Sequence, residues 1–128
     1  MPDRLLVDSD VLVDYTRQLP QAVQYVRGLR SRAVLSAVTV CELYAGVREG
    51  RERRALDALV ASSNVVAADV QIAELAGLIL RQYRPSHGTG FADAVIAATA
   101  QVERYRLVTL NDKHFPMLND VFVPYVKS

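Results

Sequence analysis

Cysteine is almost absent. Cys41 is the only one in 128 residues, so an intramolecular disulfide is impossible and a cysteine-rich zinc site is excluded. Histidine is nearly as scarce, and His87 and His114 show no paired ligand spacing, which makes zinc a poor fit. No run of about 18 consecutive apolar residues exists, and Met1 to Leu6 lacks the charged head and apolar stretch of a signal peptide. No membrane span is expected, and a cytoplasmic location is. The chain also lacks a strong charge of either sign: fifteen Lys and Arg against fourteen Asp and Glu leave a net +1. No global field recruits a polyanion, so any nucleic-acid contact must come from local patches. Lysine supplies only two of the fifteen cations. The rest are Arg, which suits bidentate phosphate contact, although a GC-rich coding sequence gives the same bias.

What is present is a globular chain. Its apolar share of 51% with 23% charged residues excludes disordered and collagen-like classes. The length fits one domain over 1–128, burying roughly two thirds of its unfolded surface. Leu5-Leu6-Val7, Ala33-Val34-Leu35, Val65-Val66, Leu107-Val108-Thr109 and Val121-Phe122-Val123 are short apolar runs of the kind buried in parallel sheets. Between them lie amphipathic stretches. Val11, Leu12 and Tyr15 repeat at helical spacing up to Pro20, and Ala22, Val23, Val26 and Leu29 follow. Thr39 to about Val47, and Ala55, Leu56, Leu59 and Val60, mark two more helices. Asp69 caps a helix whose buried face is Ile72, Leu75, Ala76 and Ile79. The segment Arg84 to Gly90 is dense in turn residues and predicts a surface loop. Phe91 to Glu103, apolar nearly all round, predicts a core helix. The alternation predicts an α/β fold, a three-layer α/β/α sandwich around a four- to five-stranded parallel sheet.

In such a sheet ligands gather outside the carboxyl ends of the strands. Asp8, Glu42, Asp93 and Asp112 each fall at or near a strand-to-helix junction. Singly, each has a structural explanation: Asp8 caps a helix, Thr39 and Glu42 have capping-box spacing, Asp93 complements a helix N-terminus, and Asn111-Asp112 caps a turn. Four together are harder to explain that way. Two carboxylates about 4 Å apart repel by about 4 kcal/mol at an effective dielectric of about 20, so a ring of acids needs a compensating cation. Mg²⁺ or Mn²⁺, which prefer oxygen ligands and retain water, are the natural partners. Asp10 and Asp14, four apart on one helix face, are read as solvated, with Asp10 at the border of the cleft as the alternative.

Four phrases carry a resemblance. Leu6-Val7-Asp8-Ser9-Asp10-Val11-Leu12, the stretch Thr39 to Gly46, the stretch Phe91 to Ala100, and Leu107 to Phe115 resemble, in order and spacing, the motifs of PIN-domain ribonucleases, with VapC toxins the nearest likeness. The resemblance runs from about residue 4 to residue 126. It implies a metal-dependent cut of RNA at an acidic site, with Asp8, Glu42 and Asp93 as the family's first three acids. For the fourth, the family's usual Asp position is Asn111 here, with Asp112 one place on. Either Asn111 holds a metal-bound water or Asp112 supplies the charge, and Asp112 ranks slightly ahead. Thr109 and Ser9 would add supporting hydroxyls. The resemblance also implies a homodimer and a small VapB-like antitoxin whose tail enters the acidic groove.

The cluster Arg48, Arg51, Arg53 and Arg54 is a candidate RNA contact, as are Arg84, Lys113 and Arg17. Yet Glu49 to Arg53 and Arg53 to Asp57 are i, i+4 pairs that stabilise an exposed helix unaided. Three rival readings remain. A PIN-domain RNA-processing nuclease without a toxin role keeps the same site. Asp8-Ser9-Asp10-Val11 also matches the opening motif of haloacid-dehalogenase-like phosphatases, but Lys113 and Lys127 are the only lysines and both lie late. A phosphoacceptor receiver needs an Asp at the end of the third strand, where Val65-Val66 leads to Ala67.

Overall fold

The computed structural model describes residues 4–127. Leu5–Val7 forms the central strand β1, followed by α1 (Ser9–Thr16) and α2 (Pro20–Leu29). β2 (Ala33–Ser36) leads into α3 (Ala37–Gly46) and α4 (Arg51–Ser62), and β3 (Asn64–Val66) into α5 (Val70–His87) and α6 (Phe91–Glu103). β4 (Arg106–Val108) and β5 (Val121–Phe122) complete the order. All five strands are parallel, arranged β3-β2-β1-β4-β5. Among the described residues no helix is long and apolar enough to cross a membrane.

Side chains alternate across a strand, so the register assigns each apolar run to two cores. Leu6 pairs with Val34 and Leu107 and joins them in one cluster with Ile72 and Ile79 of α5 and the alanine-rich stretch of α6. Val7, Leu35 and Val108 belong to the other, against Val11 and Leu12 of α1, Val26 and Leu29 of α2, and Leu56 of α4. Helices therefore cover both faces, as the continuous apolar strands require. Small residues in α6 let it pack closely: Ala94, Ala97 and Ala98 are fully buried.

Three expectations are corrected. The segment Arg84 to Gly90 is not a loop throughout, because α5 continues through Pro85 to His87. Proline accepts helical φ but removes a backbone donor and crowds the carbonyl of the turn before it, a cost borne here near the end of a helix packed against α6. Gly88 ends α5 in the left-handed region, φ 64°, its N–H donating to the Arg84 carbonyl at 2.9 Å. Next, the capping box at Thr39 is not used. β2 runs straight into α3, and the buried Ser36 hydroxyl accepts from the Val38 N–H at 3.2 Å. Thr39 lies buried inside the helix and Glu42 falls in its second turn. Last, Asp14 is not solvated but only 9% exposed. Its Oδ2 accepts from the Tyr125 hydroxyl at 2.9 Å and its Oδ1 from Lys127 Nζ at 3.0 Å, which ties the segment after β5 to α1. Burial, with the Asp14 hydrogen bond and charge, pushes the Tyr125 phenol far above its ordinary value, so it stays a donor.

The close approach of α6 to its neighbours is testable. Ala97→Leu adds volume at a fully buried position, and overpacking of this kind costs about 1–3 kcal/mol. Calorimetry should show Tm lowered by several degrees; an unchanged Tm would mean that α6 has slack around it.

Candidate active site

The carboxyl ends of β1 and β4 lie side by side, and the residues that follow them build the site. Asp8 extends the ladder, its N–H donating to the Val108 carbonyl at 2.9 Å, and then caps α1. Oδ1 of Asp8 accepts from the Ser9 N–H at 2.8 Å, and Oδ2 accepts from the Thr109 hydroxyl at 2.8 Å. Thr109 has no exposed surface. The same hydroxyl is 3.2 Å from Oδ2 of Asp10, so one proton serves two carboxylates.

Asp10 is where sequence reasoning went astray. Its Oδ2 also accepts from the Leu110 N–H at 2.9 Å and from Asn111 Nδ2 at 3.3 Å, while its Oδ1 accepts from the Val11 N–H at 2.7 Å. Far from solvated, it bolts the start of α1 to the segment leaving β4. Spacing alone grouped it with Asp14 on a shared helix face. Its proximity in sequence to Asp8, at the N-terminal turn, was the signal that pointed to the cleft.

Glu42 stands at the exposed rim, and Asp93, in the first turn of α6, is partly buried. Burial raises the Asp93 carboxyl, His114 opposes the rise, and the charge of Asp10 adds to it. His114 Nδ1 lies 3.5 Å from Asp93 Oδ2. Burial also raises Glu42, with the Ser9 side chain opposing and the Asp93 charge adding. Asp8 is held at about 6, first by burial and then by Asp10, with a smaller push from Asp93, against hydrogen bonds from Thr109 and Ser9. Asp8, Asp10, Glu42 and Asp93 thus share one electrostatic neighbourhood. Asp112 opens a short 3-10 turn, Asp112–His114, and is exposed; its neighbour Asn111 holds the bond to Asp10.

Buried oxygen donors that repel one another suit a hard divalent cation, which favours the ionised form of each. Among the described residues no three acidic, imidazole or thiol groups already converge at ligating distance. The acids line the site without closing on a common centre. A cavity of about 720 Å³ lies elsewhere, between Tyr15, Pro20, Val23, Arg27 and Ala55, and contains none of them.

The raised Asp8 has a consequence for the metal-free protein. Its folded value of about 6 exceeds the ordinary 3.8, so the folded state binds the proton more tightly than the unfolded one. That contribution is complete below about pH 4 and is lost as pH rises through about 6, worth roughly 3 kcal/mol for two units. Asp8→Asn keeps the shape and removes the charge. In EDTA, urea unfolding should find the variant more stable than the native chain at pH 7.5, with the gap narrowing by pH 4. A variant less stable at pH 7.5 would refute the account of Asp8 as a charge made costly by burial and by its acidic neighbours.

Comparison with known proteins agrees with this geometry. The PIN domain model matches residues 5–120. Ribonuclease VapC10 of Mycobacterium tuberculosis is 41% identical over 124 residues, covering 94% of this chain and 92% of that protein. Ribonuclease VapC19 of the same species is 37% identical over 124 residues, covering 94% and 98%. Among solved structures, a chain of a toxin–antitoxin complex from Klebsiella pneumoniae superposes with a TM-score of 0.80 at 25% identity, covering 96% of this chain and 99% of that one. Motif order, the five-stranded parallel sheet and the acids at its carboxyl edge converge on one assignment: this chain belongs to the PIN-domain family, alongside the VapC proteins it matches.

Proposed function

We propose that this protein is a VapC-type endoribonuclease, the toxin of a toxin–antitoxin pair, hydrolysing RNA phosphodiester bonds with the help of Mg²⁺ or Mn²⁺. The observation that carries the reading is the shared electrostatic neighbourhood of Asp8, Glu42 and Asp93 at the sheet edge, in a chain whose curated relatives are ribonucleases. These three carboxylates hold the metal, and Asp112 supplies the fourth acid. A divalent cation bound there supplies Lewis acidity, a water of lowered pKa and charge neutralisation at the phosphate. The chain's own contribution is positioning. Thr109 and the Ser9 N–H fix both oxygens of Asp8, and Asp10 fixes the Asn111 segment beside it. His114 Nδ1, 3.5 Å from Asp93 Oδ2, stands beside that carboxylate.

A VapB-like antitoxin, a homodimeric assembly and a cytoplasmic setting complete the proposal. The toxin–antitoxin complex that shares this fold supports the first of them. A processing nuclease would use the same acids, and the presence of a short antitoxin-like reading frame next to the gene separates the two.

Purified protein with Mn²⁺ should cut RNA and stop on addition of EDTA. Asp93→Asn and Glu42→Gln should each lower kcat by roughly two orders of magnitude or more without loss of fold; full activity in both would sink the assignment. For the fourth position, Asp112→Asn should raise the Mn²⁺ concentration for half-activity about tenfold, with Asn111→Ala leaving it unchanged. The opposite pattern would assign that position to Asn111.

A further inference from the structure

The crevice at the strand ends does not stop at the carboxylates. After β5 the chain continues through Val123 to Lys127 as a strap, held to α1 by the two bonds to Asp14 at 2.9 and 3.0 Å. Asp14 is largely buried, while the Lys127 side chain that meets it is about half exposed. Between the strap and the Leu110–Asn111 segment lies a groove of about 360 Å³, within the size range of small-ligand sites. Asp10 and Asn111 also line it, which makes the groove continuous with the acid cluster. Leu110, Val123 and Val126 make its walls apolar. Val126 is 80% exposed although the residues on either side of it are both tied to Asp14. Lys127 adds a cation, and its ammonium has three donors of which the Asp14 bond uses one.

A strand of RNA reaching the acids needs a place for the neighbouring nucleotide. Its base calls for apolar surface, its polar edge for an amide or carboxylate, and its phosphate for a cation. The groove offers these in one slot. The geometry points to a nucleotide subsite between Leu110–Asn111 and the strap, which takes the nucleotide adjoining the scissile phosphate of single-stranded RNA. Asp14 acts here as a positioning residue for the strap. The inference rests on the ribonuclease reading for its occupant, and its test is separable from that reading.

Binding is read on the full chain carrying Asp8→Asn, so that no cleavage intervenes, with a fluorescein-labelled single-stranded oligoribonucleotide of mixed sequence and Mg²⁺. On that background Val126→Glu, a change at an exposed position, should raise Kd about tenfold by placing an acid against the RNA, with Tm unchanged. Lys127→Ala should weaken binding and reduce the slope of log K against log salt by about one. In the otherwise native enzyme, Val126→Glu should raise KM about tenfold while kcat changes less than about twofold. An unchanged Kd in Val126→Glu would overturn the subsite, as would a loss confined to kcat. Absence of cleavage by the native enzyme would instead remove the ribonuclease reading, and the binding measurement would still decide whether the groove takes RNA.

Discussion

Mutual repulsion among carboxylates at one end of a parallel sheet is the constraint on which the remaining structure turns. A domain's net stability is about 5–15 kcal/mol, and a close pair of like charges near its surface costs about 4 kcal/mol. The fold limits that cost by local means. Asp8 and Asp10 lie at the start of α1 and Asp93 in the first turn of α6, where the unpaired N–H groups of a helix favour negative charge. Glu42, in the second turn of α3, has no such help and stands at the rim where water screens it.

Two acids on one helix turn have been given different tasks by their surroundings. Asp10 accepts from two backbone N–H groups, a hydroxyl and an amide, so neutral dipoles hold its charge in place. Asp8 is more buried and faces Asp10 and Asp93, which together outweigh its two hydrogen bonds and raise its carboxyl to about 6. Asp10 joins α1 to the loop after β4, whereas Asp8 retains a cost of burial and repulsion that its hydrogen bonds do not cancel. Thr109 stands between them with one proton to give, and its burial keeps water from taking its place. A third acid on the same helix, Asp14, repeats the joining task one turn later by anchoring the chain after β5.

The strands were legible because both faces of the sheet are covered, so each reads as an unbroken apolar run. Asp8 and Glu42 were legible because they come after β1 and β2, whose ends the fold brings together; Asp93, which follows α5 and not a strand, was legible from its place at the start of an apolar helix. Partners distant in sequence were not. Nothing near Asp10 announces Thr109 and Asn111, about a hundred residues away, and nothing near Asp14 announces Tyr125. An acidic pair at i, i+4 looks like a solvated face unless those partners are known. Pro85 misled for a related reason: a local breaker signal was overridden by the packing of α5 against α6, which spacing cannot weigh. At Thr39 two hydroxyls competed for one role, and Ser36 took it because β2 passes into α3 without a linker.

The same logic bears on how a nearly neutral chain approaches RNA. Two members of the arginine cluster around the start of α4, Arg48 and Arg53, are not free phosphate contacts. Arg53 lies between Glu49 at 3.0 Å and Asp57 at 3.2 Å with the Tyr44 ring 5.4 Å beneath it, and Glu52 lies between Arg48 and Arg17. Arg106 is likewise held by Asp120. These particular cations are thus paired where they stand, while the acids at the sheet edge are concentrated and poorly compensated. Without a cation that edge repels a phosphate. A bound divalent cation would offset two of those negative charges and leave the paired arginines as they are. Where a phosphate would settle is therefore decided by this local distribution, and the net charge of +1 says little about it.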